Sequence, residues 1–187
     1  MVGLRNANAY SKRTVVPYTR SSKKKKKSFI KTVPQQRIVK FTMGKENLFN
    51  QGKLPHVLTV ICNEPQVQMR HNALEACRQY INKQIDKKLA GQYMFKVVPF
   101  PHHIQRENRM LTGAGADRMQ TGMQLSFGKA TNRAAILKQN TKLFIVAVPK
   151  EKDAAFARSI IKKVNAKIPC KIKILYKNLE KPISNLV

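Results

Sequence analysis

An excess of positive charge constrains this chain more than any other feature of its sequence. Its 187 residues carry 37 Lys and Arg against 9 Asp and Glu, a formal charge of +28. Self-repulsion at that level opposes compaction unless counter-charge is supplied from outside. The partner that such a balance favours is a nucleic acid, with an anionic membrane surface as the weaker alternative. The apolar share of 42% still suffices for one core of ordinary size. The charge therefore has to be segregated from that core.

Part of the segregation lies at the N-terminus. Residues 1–31 show neither helical nor strand period and contain no acid, but hold Arg5, Lys12, Arg13, Arg20 and the unbroken block Lys23, Lys24, Lys25, Lys26 and Lys27. Like charges in such a run repel one another, which predicts a segment disordered when alone. It reads as an arm that tracks phosphates and orders as counterions are released. Tyr10 and Tyr18 lie between the charges, where their rings can stack on unpaired bases. A solvated tail or a nuclear-localisation patch is the alternative reading of the same composition.

The other concentration is internal. Residues 101–133 form a stretch longer than compact domains normally leave without structure. It holds Arg106, Arg109, Arg118, Lys129 and Arg133 against Glu107 and Asp117, and is jointed by Gly113, Gly115, Gly122 and Gly128. A basic, glycine-jointed loop between rigid elements can bring backbone and arginines against a polyanion.

The remaining chain has clear periodicity. Residues 33–44 read as a short strand ending at Gly44, followed by a loop through Lys53. A β-branched run, 55–63, reads as a buried strand. Val67, Ala73, Leu74, Cys77, Tyr80, Ile81, Ile85 and Leu89 predict an amphipathic helix over 65–90, stopped at Gly91. Residues 93–100 form a third strand leading into the loop. Beyond the loop, 133–138 and 141–149 read as two strands joined by a turn at Gln139-Asn140. A second helix spans 150–167, with Glu151 and Asp153 in its first turn, and 171–176 alternates as a last strand. The predicted fold is α+β: a two-layer α/β sandwich of two helices on a mainly antiparallel sheet. The arm, 1–31, precedes this domain, 32–187, whose internal functional loop is 101–133.

Catalytic chemistry finds no foothold. The GAGAD segment, Gly113 to Asp117, lacks the third glycine of a dinucleotide fingerprint, because Arg118 stands there. Gly128-Lys129 resembles the end of a phosphate-binding loop. Met123 replaces its first glycine, however, and Ala130 its Ser or Thr. His102 and His103 project to opposite sides of an extended backbone. With nine acids in all, no carboxylate cluster is available for nuclease metals. Cys62, Cys77 and Cys170 are too far apart in sequence for a C-x-x-C zinc pair, which points to buried thiols in a reducing compartment. No apolar run approaches the roughly 20 residues that cross a bilayer, and the N-terminus has no signal-like apolar region. The expectation is a soluble internal protein without enzyme activity, cofactor or metal.

The run RENRMLTGAGADRMQTGMQLSFGK, Arg106 to Lys129, resembles the signature of a large-subunit ribosomal protein family, the archaeal and eukaryotic L-ten-e group, orthologous to bacterial L-sixteen. PYTR (Pro17 to Arg20), IVKFTMG (Ile38 to Gly44) and ALEACR (Ala73 to Arg78) resemble its blocks in the same order. The resemblance implies a structural constituent of the large subunit of cytoplasmic ribosomes. It would bind large-subunit rRNA near the base of the central protuberance and contact neighbouring ribosomal proteins, with no membrane partner and no homo-oligomer. Carried over by position, Met110, Leu111, Thr112, Gly113, Ala114, Gly115, Ala116, Asp117, Arg118, Met119, Gln120 and Thr121 form a loop tip. That tip approaches tRNA near the A and P sites and the peptidyl-transferase region, with Arg106, Arg109, Arg118 and Lys129 as RNA-facing cations. The sequence departs from the family pattern at Gln124, where Arg is usual, and at Ala130-Thr131-Asn132, which replaces a Pro-containing turn. A free-standing RNA-binding or RNA-chaperone module, or an RNA-processing enzyme using the loop as a lid, would share the same basic surface.

Overall fold

A computed structural model of the chain describes residue 30 and residues 32–107 and 129–179. In chain order they form β1 (Thr42–Gly44), α1 (Glu46–Asn50), β2 (His56–Cys62), β3 (Gln66–Arg70), α2 (His71–Leu89), β4 (Met94–Val97), β5 (His103–Glu107), β6 (Lys129–Lys138), β7 (Lys142–Val148), α3 (Glu151–Val164) and β8 (Ile172–Asn178). A 3-10 turn, Asn165–Lys167, extends α3. The α+β class agrees with the sequence reading. The strands, however, form two antiparallel sheets rather than one, ordered β1-β4-β7-β2-β8 and β3-β6-β5.

The β-branched run of β2 places it in the larger sheet between β7 and β8. Its Leu58 and Val60 point to one face, together with Phe95 and Val97 of β4 and Phe144 and Val146 of β7. That face meets Leu74, Cys77, Ile81 and Ile85 of α2 and Ala157, Ile160, Ile161 and Val164 of α3, forming the main core. The rings of Phe95 and Phe144 lie 5.8 Å apart between centroids at 51°. Each large apolar side chain sealed here contributes about 1.5–3 kcal/mol. Across the two helices Lys88 bonds Asp153 at 3.3 Å and lies 4.4 Å from the ring of Phe156.

Four expectations need correction. The residues after Gly44 are not all loop: α1 lays Leu48 and Phe49 on the other face of the large sheet, against Leu54, Met94 and Ala147. The helix expected over 65–90 begins at His71. Before it, Gln66–Arg70 alternates polar and apolar and runs as β3, burying Val67 and Met69. The stretch 101–133 is not structureless at its ends, since His103–Glu107 and Lys129–Lys138 are paired strands. Finally, the two strands read as a pair about the Gln139-Asn140 turn lie in different sheets, β6 in the smaller and β7 in the larger.

That last difference explains the architecture. β2 pairs with β7, and their continuations β3 and β6 pair in turn, so one antiparallel ribbon passes from the large sheet into the small one. At the corner, Asn140 in the left-handed region (φ 62°) donates its N–H to Cys62 O at 2.9 Å, and Cys62 N–H bonds Thr141 O at 3.0 Å. Gly44, at φ 80°, makes a second tight point. A Cβ there would collide with the Tyr93 carbonyl, which accepts the Lys45 N–H at 2.9 Å.

Candidate nucleic-acid interface

The small sheet turns one face to the core through Val67, Met69, Ala135 and Leu137. Its other face carries Ala134 and Ile136 but is otherwise largely polar. In the β3-β6 and β5-β6 registers, Gln68, Arg70, His103, Gln105 and Asn132 fall on the side opposite those apolar residues. Gln105 Nε2 donates to Gln68 Oε1 at 3.1 Å, and both amides are buried. Thr131 Oγ1 donates to Gln105 O at 3.3 Å, beside the bulge between Gln105 and Arg106. These contacts stiffen the strand pair that leads to and from residues 108–128.

His71, the first residue of α2, sits at the edge of this network and is 1% exposed. Its Nε2 lies 3.3 Å from Asn132 Oδ1, which places the proton of the neutral ring on Nε2. Burial holds its pKa below the usual imidazole value. The Asn132 bond acts in the opposite direction, and the guanidiniums of Arg37, Arg133 and Arg70 reinforce the depression. The segment carrying Arg37 is pinned on both sides: the Arg133 side chain donates to Pro34 O, and the Val39 N–H bonds Glu75 on α2. Burial alone would raise the Glu75 carboxyl. Hydrogen bonds from Arg78 (2.8 Å to Nε) and Gln79 (2.9 Å), with that Val39 N–H, outweigh it and hold the carboxyl below its usual range.

Next to β5 lies a ring stack. Phe41 and Phe100 are 5.4 Å apart at 23°, and Phe100 is 4.5 Å from the exposed His102. His103 is buried on the opposite side, so the two histidines diverge as the extended backbone requires. Among the described residues no group of His, Cys, Asp or Glu is placed to hold a metal ion. All three cysteines are free and buried, and burial pushes the Cys77 thiol up to about 12. No described helix is long and apolar enough to cross a membrane.

The residues singled out from sequence divide in two. Arg106 and Lys129 stand on the stem, where Arg106 pairs with Ala130 and Lys129 with Glu107. Arg133 is half-buried beside them. Ala130-Thr131-Asn132 is not a turn; these residues are part of β6. Arg5, Lys12, Arg13, Tyr18, Arg20, Lys23 to Lys27, Arg109, Arg118 and the tip Met110 to Thr121 lie outside the described residues. Arg37, Arg70, His71, Asn72 and Asn132 were not anticipated. A β-strand running directly into a helix beside a second basic strand would have been the signal for them, and it was hidden by reading 65–90 as one helix.

A family model described as "Ribosomal protein L16p/L10e" matches residues 17–175. The chain is similar to the large ribosomal subunit protein uL16 of Sulfolobus acidocaldarius, 38% identical over 95% of this chain and 96% of the relative. It is also similar to uL16 of Staphylothermus marinus, 37% identical over 96% and 99%, and to that of Methanospirillum hungatei, 42% identical over 69% and 76%.

Proposed function

Because the chain belongs to the L16p/L10e family of ribosomal proteins, a structural and non-enzymatic family of the large subunit, we propose that it binds large-subunit rRNA and carries its internal loop toward the tRNA sites. The basic arm, 1–31, and the cations Arg106, Arg109, Arg118, Lys129 and Arg133 neutralise rRNA phosphates. The neutralised charge accounts for a +28 chain folding in place on RNA. The tip, Met110 to Thr121, reaches the region of the A- and P-site tRNAs and of peptidyl transfer, where it supports tRNA positioning. Binding of the arm and domain supports subunit assembly, beside neighbouring ribosomal proteins, in cytoplasmic ribosomes.

The observation that carries this reading is the β5–β6 ladder. It starts and ends residues 108–128 on adjacent, hydrogen-bonded strands, and the Gln68–Gln105 bond and the core braced behind it fix the stem. A stem of this kind fixes where residues 108–128 leave and rejoin the domain. Deleting Leu111 to Met119 tests it. The shortened chain is expected to enter large subunits while tRNA-dependent steps are impaired; loss of incorporation would instead make the loop an assembly anchor.

A further inference from the structure

Helix α2 follows β3 without an intervening loop, so its N-terminus meets the small sheet at Arg70, opposite Ala134 of β6. Its 19 residues concentrate partial positive charge there. The first turn contains no acid, and the N-cap side chain makes no capping hydrogen bond. Buried polar atoms at this end also lack partners. His71 is 1% exposed and uses Nε2 on Asn132, while its Nδ1 has no hydrogen bond. Both amide atoms of Asn72, the next residue, are sealed and unbonded. Unsatisfied groups of this kind are costly unless a ligand completes them.

Among the described residues the charge acting on His71 has one sign: Arg37 from the segment before β1, Arg70 from β3 and Arg133 from β6 act on it, and no described carboxylate does. Glu75, one turn along α2, is already engaged by Arg78, Gln79 and the Val39 N–H. At the rim, Arg37 is exposed and Asn72 and Arg133 are half-buried.

We propose that the N-terminus of α2, with Arg37, Arg133, Asn72 and His71, is a binding site for one backbone phosphate of the RNA. The site rests on the RNA-binding reading above and adds a defined contact on the folded domain, separate from the arm and the loop tip. Guanidiniums match phosphate oxygens in geometry, and helix N-terminal N–H groups and dipole favour an anion. His71 completes the site by taking one proton from solvent at Nδ1 as the anion arrives. Both ring nitrogens then donate, one to Asn132 and one to the phosphate, and no other bond is made or broken.

The full-length chain and a large-subunit rRNA transcript test the site, by filter binding from about 50 to about 200 mM salt. Asn72→Asp puts a carboxylate in the first turn of α2, where the helix dipole favours an acid, and thermal unfolding of the free variant checks that it is folded. The same carboxylate repels a phosphate. The expected result is weaker binding and a log–log salt slope smaller by about one, with Asn72→Ala retaining the wild-type slope. Arg37→Ala, at an exposed position, is expected to lose the same increment and serves if Asn72→Asp misfolds. A wild-type chain that binds steeply alongside Asn72→Asp and Arg37→Ala variants with unchanged slopes would overturn the site and leave RNA binding intact. A wild-type chain with no salt-dependent binding would overturn both.

Discussion

His71 makes the stability of this fold sensitive to mild acid. Burial first, then Arg37, Arg133 and Arg70, hold the folded ring's pKa below 6.5 despite the Asn132 bond. As pH falls through 6.5 the unfolded chain takes up a proton that the folded protein refuses. Stability present above 6.5 is therefore lost progressively toward the folded pKa. Each pH unit over which the folded state binds one proton fewer costs about 1.4 kcal/mol. Between pH 6.5 and 5.5 the loss from this one ring thus reaches at most about 1.4 kcal/mol, or roughly 3–6 °C in Tm for a domain of this size. Glu75 does not enter this window, because its carboxyl is held below 4.5 and contributes only at lower pH. His71→Gln keeps a donor for Asn132 and removes the titration. Thermal unfolding of both proteins across pH 7.5 to 5.5, at fixed ionic strength, is expected to show a smaller acid loss in the variant. Parallel losses in the two would refute the placement of a neutral imidazole among three arginines.

Other expectations rest on single positions. Gly44→Ala places a Cβ against the Tyr93 carbonyl at a positive φ and is expected to destabilise by about 2–4 kcal/mol, read by chemical denaturation. A cost below about 0.5 kcal/mol would show that β1 can move away. Phe144→Ala removes a fully buried ring from the centre of the large sheet and is expected to cost about 3–5 kcal/mol by the same measurement. Replacing Lys23 to Lys27 with Ser is expected to weaken rRNA binding and flatten its salt dependence, because each lost phosphate contact removes a released counterion. An unchanged slope would mark the block as a solvated tail.

The elements with strong apolar period were legible in sequence: β2, β4, β7, α3, β8 and the body of α2. They share one property, an apolar face against the main core, which in β8 is reduced to the partly buried Ile172 and Ile174. What escaped reading was the small sheet. One face of β3, β5 and β6 carries Gln68, Gln105, Asn132 and His103, so their apolar signal is halved and their polar residues imitate loop. The step of six from Val67 to Ala73 in the supposed helical stripe was the local clue to β3. Lys129 to Asn132 carried no clue, since its extended form depends on β5 across the ladder. The site was hidden for the same reason. Arg37, Arg70 and Arg133 are far apart in sequence, and β6 reaches the start of α2 with Arg133 only because it pairs with β3. Composition supplied the polyanion, and the motif from Arg106 to Lys129 supplied the family.

The central claim is that this chain is held in the large subunit by RNA contacts. Sedimentation of ribosomal subunits from cells expressing the tagged chain, washed in high salt before the gradient, tests it most directly. The chain is expected to travel with the large subunit and to be released only when the rRNA is digested. Its recovery at the top of the gradient after the wash, with the subunits otherwise intact, would contradict the account.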